Sequence, residues 1–510
     1  MALDRRFRRG ILVVVLLTVF ILTLPLSLTP SVRTRLTEAL SERFGSDVGL
    51  DALRVSVFPR LRVHGEGVSL RHKGRTDVPP LISIASFSAE ANIVGLFTKP
   101  LRFLRVELGQ LEINIPPGGM NIDDADDGGS DAESPLVVEQ LLAERTILRV
   151  LRSDANEPPR VWRIAHLRME DTGSNEPWPF EASLTNPTPP GQITTRGTFG
   201  PWNTRQPSQT PLDATFEFRN ADLGTFDGIG GILHSTGEFA GVLERIEVNG
   251  NTDVPDFTLD AVGNPVPLST RFHAIVDGTN GNTWLRPVRG RLDRSSIHAT
   301  GGIVEDEGGD GRTIELDVVM NDARIEDVLR LAMKSATPFM TGGLKLKTSL
   351  VLPPGDRDAT EKLRLNGSFQ LASAQFTKGN LQEKVNELSQ KARGAGDTDE
   401  PSDRVVSDFT GVFVMQNGVI QFSDLTFAVP GAKVDLAGNY TVRSEELDFR
   451  GTVRLEAKLS ELTTGVKSFL LKLLDPLMRR EDITVIPVTV KGTAEKPDFG
   501  LDIKRAFTPG

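Results

Sequence analysis

The chain has 510 residues, 38% hydrophobic and 25% charged, with a formal net charge of −10. That composition fits a globular protein of two or three domains and a poor counterion for nucleic acid. It contains no cysteine, which excludes disulfides, thiolate metal sites and a cysteine nucleophile, and suits an oxidising compartment.

The first signal lies at the amino terminus. Arg5, Arg6, Arg8 and Arg9 precede an apolar run from Ile11 to Leu28, interrupted only by Thr18, Thr23, Pro25 and Ser27. Eighteen residues at helical rise cover roughly 27 Å, enough to cross a bilayer core. No small-residue cleavage site follows, and Pro25 and Pro30 occupy the positions where a leader would be cut. Residues 1–30 are therefore predicted to be a basic cytoplasmic tip and an uncleaved transmembrane anchor, with the rest of the chain on the far side.

Residues 31–44 place Val32, Leu36, Ala39, Leu40 and Phe44 at helical spacing. Beyond them the dominant period is two. Leu344, Leu346, Leu350 and Leu352 alternate with Lys345, Lys347 and Ser349; Leu447, Phe449, Val453 and Leu455 alternate with Asp448, Arg450 and Arg454. In Leu104–Ile115 the apolar phase runs through Leu104, Val106 and Leu108, then slips at Gly109-Gln110 to Leu111, Ile113 and Ile115, as at a β-bulge or tight bend. Helices are predicted at about 136–151, 324–335, 380–393 and 464–475, and Gly/Asp-rich stretches at 116–135, 305–311 and 394–403 read as loops or linkers. After the anchor, 31–215 is an amino-terminal β region with an amphipathic helix and 216–345 a middle β region. Residues 346–510 form a carboxy-terminal β region with a second amphipathic helix. The fold class expected is mainly β: an elongated, curled antiparallel sheet, trough-like, with an apolar interior.

One hairpin follows residue by residue. Asn417-Gly418 suits a type I′ turn, and a two-residue loop pairs Gln416 with Val419, Met415 with Ile420 and Phe413 with Phe422. Phe413, Met415, Ile420 and Phe422 then share one face and are the candidates to line an apolar groove. Residues 248–260 (VNGNTDVPDFTLD) and 490–502 (VKGTAEKPDFGLD) write one pattern twice. It reads as a strand closing at Val-x-Gly, a Pro-Asp turn, and a new strand at Phe-x-Leu-Asp, so related β modules are expected to recur along the sheet. In the helix predicted at Gly465–Leu474, Val466, Phe469, Leu470, Leu473 and Leu474 fall on one side and Lys467, Ser468 and Lys472 largely elsewhere, with Pro476 ending or kinking it. Such a helix serves either as a lid on the β trough or as a surface that docks on a membrane or partner.

Searches for chemistry return nothing. No nucleophile elbow, phosphate loop, zinc helix or dinucleotide fingerprint occurs, and His64, His72, His166, His234, His273 and His298 are scattered. The acidic run Asp123, Asp124, Asp126, Asp127 and Asp131 fails as a calcium loop. With Gly128 at the glycine position, Ala125 falls on a ligand position and Ser134 where glutamate is needed. Neither a catalytic, metal nor cofactor site is read, and no enzyme is expected.

Strands from about 47 to 505 carry a one-sided apolar stripe too long for the few helices to cover. A second sheet, closure, or a trough holding something apolar would each resolve it. The anchor, the amphipathic segment and Leu53–Val63 (LRVSVFPRLRV) resemble the start of AsmA-like proteins. So do Phe180–Gly191 with Gly197–Trp202, and Phe376–Arg393; Thr464–Pro476 with Val490-x-Gly492 and Pro497-Asp-Phe499 resemble the AsmA carboxy-terminal region. The resemblance implies an inner-membrane-anchored, periplasmic protein of the diderm envelope. It implies a hydrophobic β groove that holds or conducts phospholipid toward the outer membrane, with no catalytic residue. A scaffold or assembly factor for outer-membrane proteins, with a dry β core, is the other class left open. The partners expected are membrane phospholipids, the inner membrane and an envelope or outer-membrane protein, not nucleic acid.

Overall fold

The computed structural model describes residues 29–41, 47–57, 60–71, 79–92, 94–95, 98–115, 136–151, 159–203, 206–226, 228–259, 264–306, 311–355, 357–392, 405–455, 485–494 and 496–501. The apolar run Ile11–Leu28, the acidic stretch 116–135 and the helix predicted at Gly465–Leu474, including Val466, Phe469, Leu470, Leu473 and Leu474, lie outside them. Among the described residues no helix is long and apolar enough to cross a membrane.

The chain is mainly β. Its strands are β1 (Asp47–Ser56), β2 (Arg62–Arg71), β3 (Ile82–Ala91), β4 (Leu101–Ile115), β5 (Leu136–Val150), β6 (Arg160–Thr172), β7 (Trp178–Pro187), β8 (Pro190–Phe199), β9 (Pro211–Asp222), β10 (Ile229–Gly230), β11 (Ile232–Val242) and β12 (Arg245–Leu259). There follow β13 (Val266–Val276), β14 (Thr283–Leu292), β15 (Ser295–Glu305), β16 (Arg312–Arg324), β17 (Met340–Leu352), β18 (Arg364–Phe376), β19 (Ser407–Gln416), β20 (Val419–Val429), β21 (Ala432–Thr441), β22 (Glu446–Leu455), β23 (Val485–Thr493) and β24 (Pro497–Leu501). The helices are α1 (29–41), α2 (Ile325–Ala332), α3 (Ala359–Lys362) and α4 (Gly379–Ala392). Two compact units result, one of Met1–Ala221, His234–Gly250 and Ile275–Gly281, the other of Asp222–Leu233, Asn251–Ala274 and Asn282–Gly510.

In the first unit α1 buries Val32, Leu36 and Ala39, as their spacing predicts, against Leu50, Leu53, Val63 and Phe103 of β1, β2 and β4. Arg33 donates to the Leu50 carbonyl. The phase slip in β4 is present, with Gln110 at φ 54° and Leu111 buried. A second slip, where the β3–β4 register shifts between Glu90 and Ala91, turns Leu104 outward to 38% exposure, so it does not share a face with Val106.

The helix predicted at 136–151 is instead strand β5, and it runs parallel to β4, from Leu101 opposite Leu136 to Ile115 opposite Val150. The sheet is therefore not purely antiparallel. A parallel neighbour buries apolar residues on both faces and loses the period of two. Val137, Val138 and Ala143 are all buried, and the resulting spacing imitates a helix. Arg145, at φ 56°, is where helical continuity fails.

The two copies of the repeated pattern also part company. At 490–502 the chain reverses after Val-x-Gly, with Gly492 at φ 90°, but the turn falls between Thr493 and Lys496. Pro497-Asp498 already pair with Gly492 and Lys491 in β24, so the Pro-Asp pair does not make the turn. At 248–260 it does not turn, and β12 runs through Pro255-Asp256 to Leu259. There Asp256 accepts the amide of Ile232 at 2.9 Å, so the Pro-Asp pair holds a neighbouring chain rather than reversing its own.

Candidate functional site

From β14 to β24 of the second unit, each strand pairs antiparallel with the next in sequence. The predicted hairpin is present. Asn417 and Gly418 have φ 52° and 72°, and Met415 stands opposite Ile420 and Phe413 opposite Phe422. All four predicted groove residues thus share a face. Phe413 and Met415 are buried, at 8% and 4% exposure, while Ile420 and Phe422 are half-buried.

The ladders carry that face across the whole run. Val288, Ala299, Val318, Thr348, Gly367, Phe413, Phe422, Gly438, Phe449, Val490 and Phe499 stand opposite one another on consecutive strands. Ten inter-strand steps of about 4.8 Å make that row roughly 48 Å long. Its rings meet because glycines leave them room. Phe422 and Phe449 approach to 5.7 Å between centroids across Gly438, and Phe413 lies 6.2 Å from Phe422 and 6.4 Å from Phe369. A Cβ on Gly411 would sit 2.5 Å from the Phe369 ring, so that ring lies flat on bare backbone. The sequence contains these glycines, but only cross-strand register reveals that they sit beside phenylalanines.

The helices seat on one side of this face. The side chains Ile325, Val328 and Leu329 of α2 pack on Met320, Ala323, Met340, Leu344, Leu371 and Ala374. On α4, Val385 and Leu388 pack around Val429, Ala432 and Val434. These contacts lie at the end of the strands where Leu344, Leu371, Phe409, Phe427, Val434, Val453 and Ile486 are aligned. Toward the other end, Leu316, Leu350, Leu365, Met415, Ile420, Tyr440 and Leu447 stand opposite one another; all but the buried Met415 are half-buried, and the row belongs to none of the buried clusters among the described residues. Each buried cluster of the second unit is local and lies beneath a helix. A sandwich would instead join both layers in one continuous core.

Two polar features border the face, neither legible in the sequence. Asp327, wholly buried in the first turn of α2, accepts from Ser295 Oγ at 2.8 Å, Arg294 Nη2 at 3.0 Å and the Arg294 amide at 3.1 Å. The carboxylate hydrogen bond, then its charge, raises the Arg294 guanidinium above its ordinary pKa. Glu326 also pairs with Arg294, at 3.2 Å, and accepts the Gly342 amide. No capping side chain closes the α2 amino terminus; two acids in the first turn complement its dipole. Just past the other end of α2, Lys334 Nζ donates to the Arg443 carbonyl at 3.1 Å, and Arg443 pairs with Glu361 of α3 at 3.4 Å. Tyr440, the chain's one tyrosine, stands among Ile420 and Leu447, and burial, then Glu445, push its phenol up to about 12.

Among the described residues no group of three ligating side chains could hold a metal ion. The fold and this face define a mainly β, predominantly antiparallel protein with a long apolar surface and helices seated along one side of it. Comparison with protein-family models, with characterised proteins and with solved structures finds no match in any of the three.

Proposed function

We propose that the chain is a membrane-anchored protein of the diderm cell envelope that holds or conducts phospholipid along the apolar face of β14–β24, in a trough formed by curling of the sheet. The observation that carries this reading is the row Leu316, Leu350, Leu365, Met415, Ile420, Tyr440 and Leu447, large side chains of which all but Met415 are only partly buried. Acyl chains need no directional partners, so a face lined mainly by phenylalanine and aliphatic side chains, with Thr348 and Tyr440 among its few polar groups, suits them. The local character of the buried clusters favours this over a scaffold with a dry double-layered core. The resemblance to AsmA-like proteins supports the same assignment, with residues 1–30 as inner-membrane anchor and the β body in the periplasm.

Native mass spectrometry of the detergent-free protein tests the proposal: co-purified phospholipid is expected. Phe422→Asp and Ile420→Asp place a carboxylate on the half-buried part of the face and should reduce lipid occupancy while the protein stays folded. Phe413→Asp buries the charge and should compromise folding itself. A wild-type protein that neither carries nor accepts phospholipid would eliminate the lipid reading in favour of the scaffold.

A further inference from the structure

The opposite face of the same strands has a different chemistry. Along β14 its outward side chains are Trp284, Arg286, Arg289 and Arg291, with Trp284 41% exposed and the three arginines exposed. On β15, Arg289 stands opposite His298, Arg291 opposite Ser296 and Trp284 opposite Gly302. On the other side β13 lies against β14, with the Asp293 amide donating to the Pro267 carbonyl and Gly290 against Ser269 and Thr270. That neighbour adds Ser269, Arg271 and His273. The outward faces of β13, β14 and β15 therefore hold four arginines and two histidines and no carboxylate, in a chain with 68 acidic and 58 basic residues. Acidic side chains resume on the flanking strands, with exposed Asp253 two positions from Asn251 on β12 and with Glu315 and Asp317 on β16. Arg286 and Arg289 have no hydrogen-bond or ion-pair partner among the described residues, while Arg271 bonds Asn251 and Arg291 the Asp293 carbonyl.

We infer that this face is a docking surface for the anionic headgroups of a membrane. Exposed guanidinium groups side by side on adjoining strands match a layer of phosphates. An exposed indole beside them is the residue that settles at the boundary between headgroup and acyl chain. Among the described residues this face shows no stacked aromatics of the kind single-stranded nucleic acid uses. The surface is separate from the lipid-holding face, so neither reading depends on the other. Each arginine close to an anionic surface strengthens binding roughly fivefold, an effect that salt screens.

The test uses the full chain held in phosphatidylcholine nanodiscs, which satisfies the apolar amino-terminal run, mixed with vesicles of phosphatidylglycerol or of phosphatidylcholine alone. Co-flotation with the phosphatidylglycerol vesicles only, weakening as salt rises, is expected. The triple variant Arg271→Gln, Arg286→Gln, Arg289→Gln should lose roughly a hundredfold in that binding. The matching Arg→Lys triple should keep most of it, which separates lost charge from lost folding. Equal binding to both vesicle types overturns the proposal. So does a Gln triple that binds like the wild type, or a basic face captured by polyglutamate but not by phosphatidylglycerol.

Discussion

Replacing Asp327 with alanine should loosen α2 from the sheet by a predictable amount. The carboxylate is fully buried and accepts three hydrogen bonds, one of them from the Arg294 guanidinium. Breaking a buried pair from one side costs about 3–5 kcal/mol, mostly because the remaining charge is stranded. Here Arg294 is 44% exposed and retains Glu326, so the lower end applies, about 3 kcal/mol. At about 1.4 kcal/mol per tenfold, local opening of α2 should rise roughly a hundredfold. A chain of two compact units is a poor candidate for a single two-state melt. The suitable assay is amide exchange followed by mass spectrometry over α2 and the β14–β15 turn. Asp327→Asn, which keeps the shape but not the charge, should fall between wild type and alanine. If exchange in α2 is unchanged by either substitution, the buried carboxylate does not anchor the helix and this reasoning fails.

Tyr440 is the chain's only tyrosine, so phenolate absorbance reports it alone. It should titrate near 12 in the folded protein and near 10 in denaturant. Because the folded phenol holds its proton longer, stability should be complete below about pH 10 and decline as pH rises from there toward 12; a folded titration near 10 would show the phenol to be solvated. Gly451→Ala would set a Cβ 1.8 Å from the Asp435 carbonyl oxygen and should collapse soluble yield, whereas Gly343→Ala, whose nearest neighbour is 3.9 Å away, should be tolerated. Equal yields from the two would refute the close approach of β21 and β22. A reporter active only outside the cytoplasm, fused after Gly510, should be active if residues 1–30 anchor the chain as proposed, and silence would remove the periplasmic assignment.

What could be read from the sequence divides along physical lines. The Asn417-Gly418 hairpin was legible because turn type fixes register, and register fixes which side chains face inward. Helix α1 was legible because Val32, Leu36 and Ala39 bury one stripe and leave the rest wet. Strand β5 was not, since burial on both faces erases alternation and its partner β4 precedes it by 35 positions in register. The same limit hid the arginine face. Arg271, Arg289 and His298 lie on three strands, and only pairing between those strands brings them together. The Pro-Asp pairs misled because both lie within strands, Pro255-Asp256 in β12, where Asp256 accepts a neighbouring amide, and Pro497-Asp498 in β24.

The order of pairing from β14 to β24 has a consequence for how the protein is made. Because every strand in that run joins its immediate successor, each new strand finds a complete edge already waiting, and the sheet can lengthen in the direction of synthesis. Most additions close short loops, which keeps the entropic barrier to each one small; the 30 residues between β18 and β19 and the 29 between β22 and β23 are the exceptions. The pairing of β4 with β5 differs in direction, because it is parallel. Before β5 can add to β4, the twenty residues between them must return the chain along the full length of β4, about 47 Å at strand rise. A slow step of assembly is therefore expected at this parallel addition, and a chain truncated after β20 should leave a shorter sheet with a new edge rather than an unfolded one.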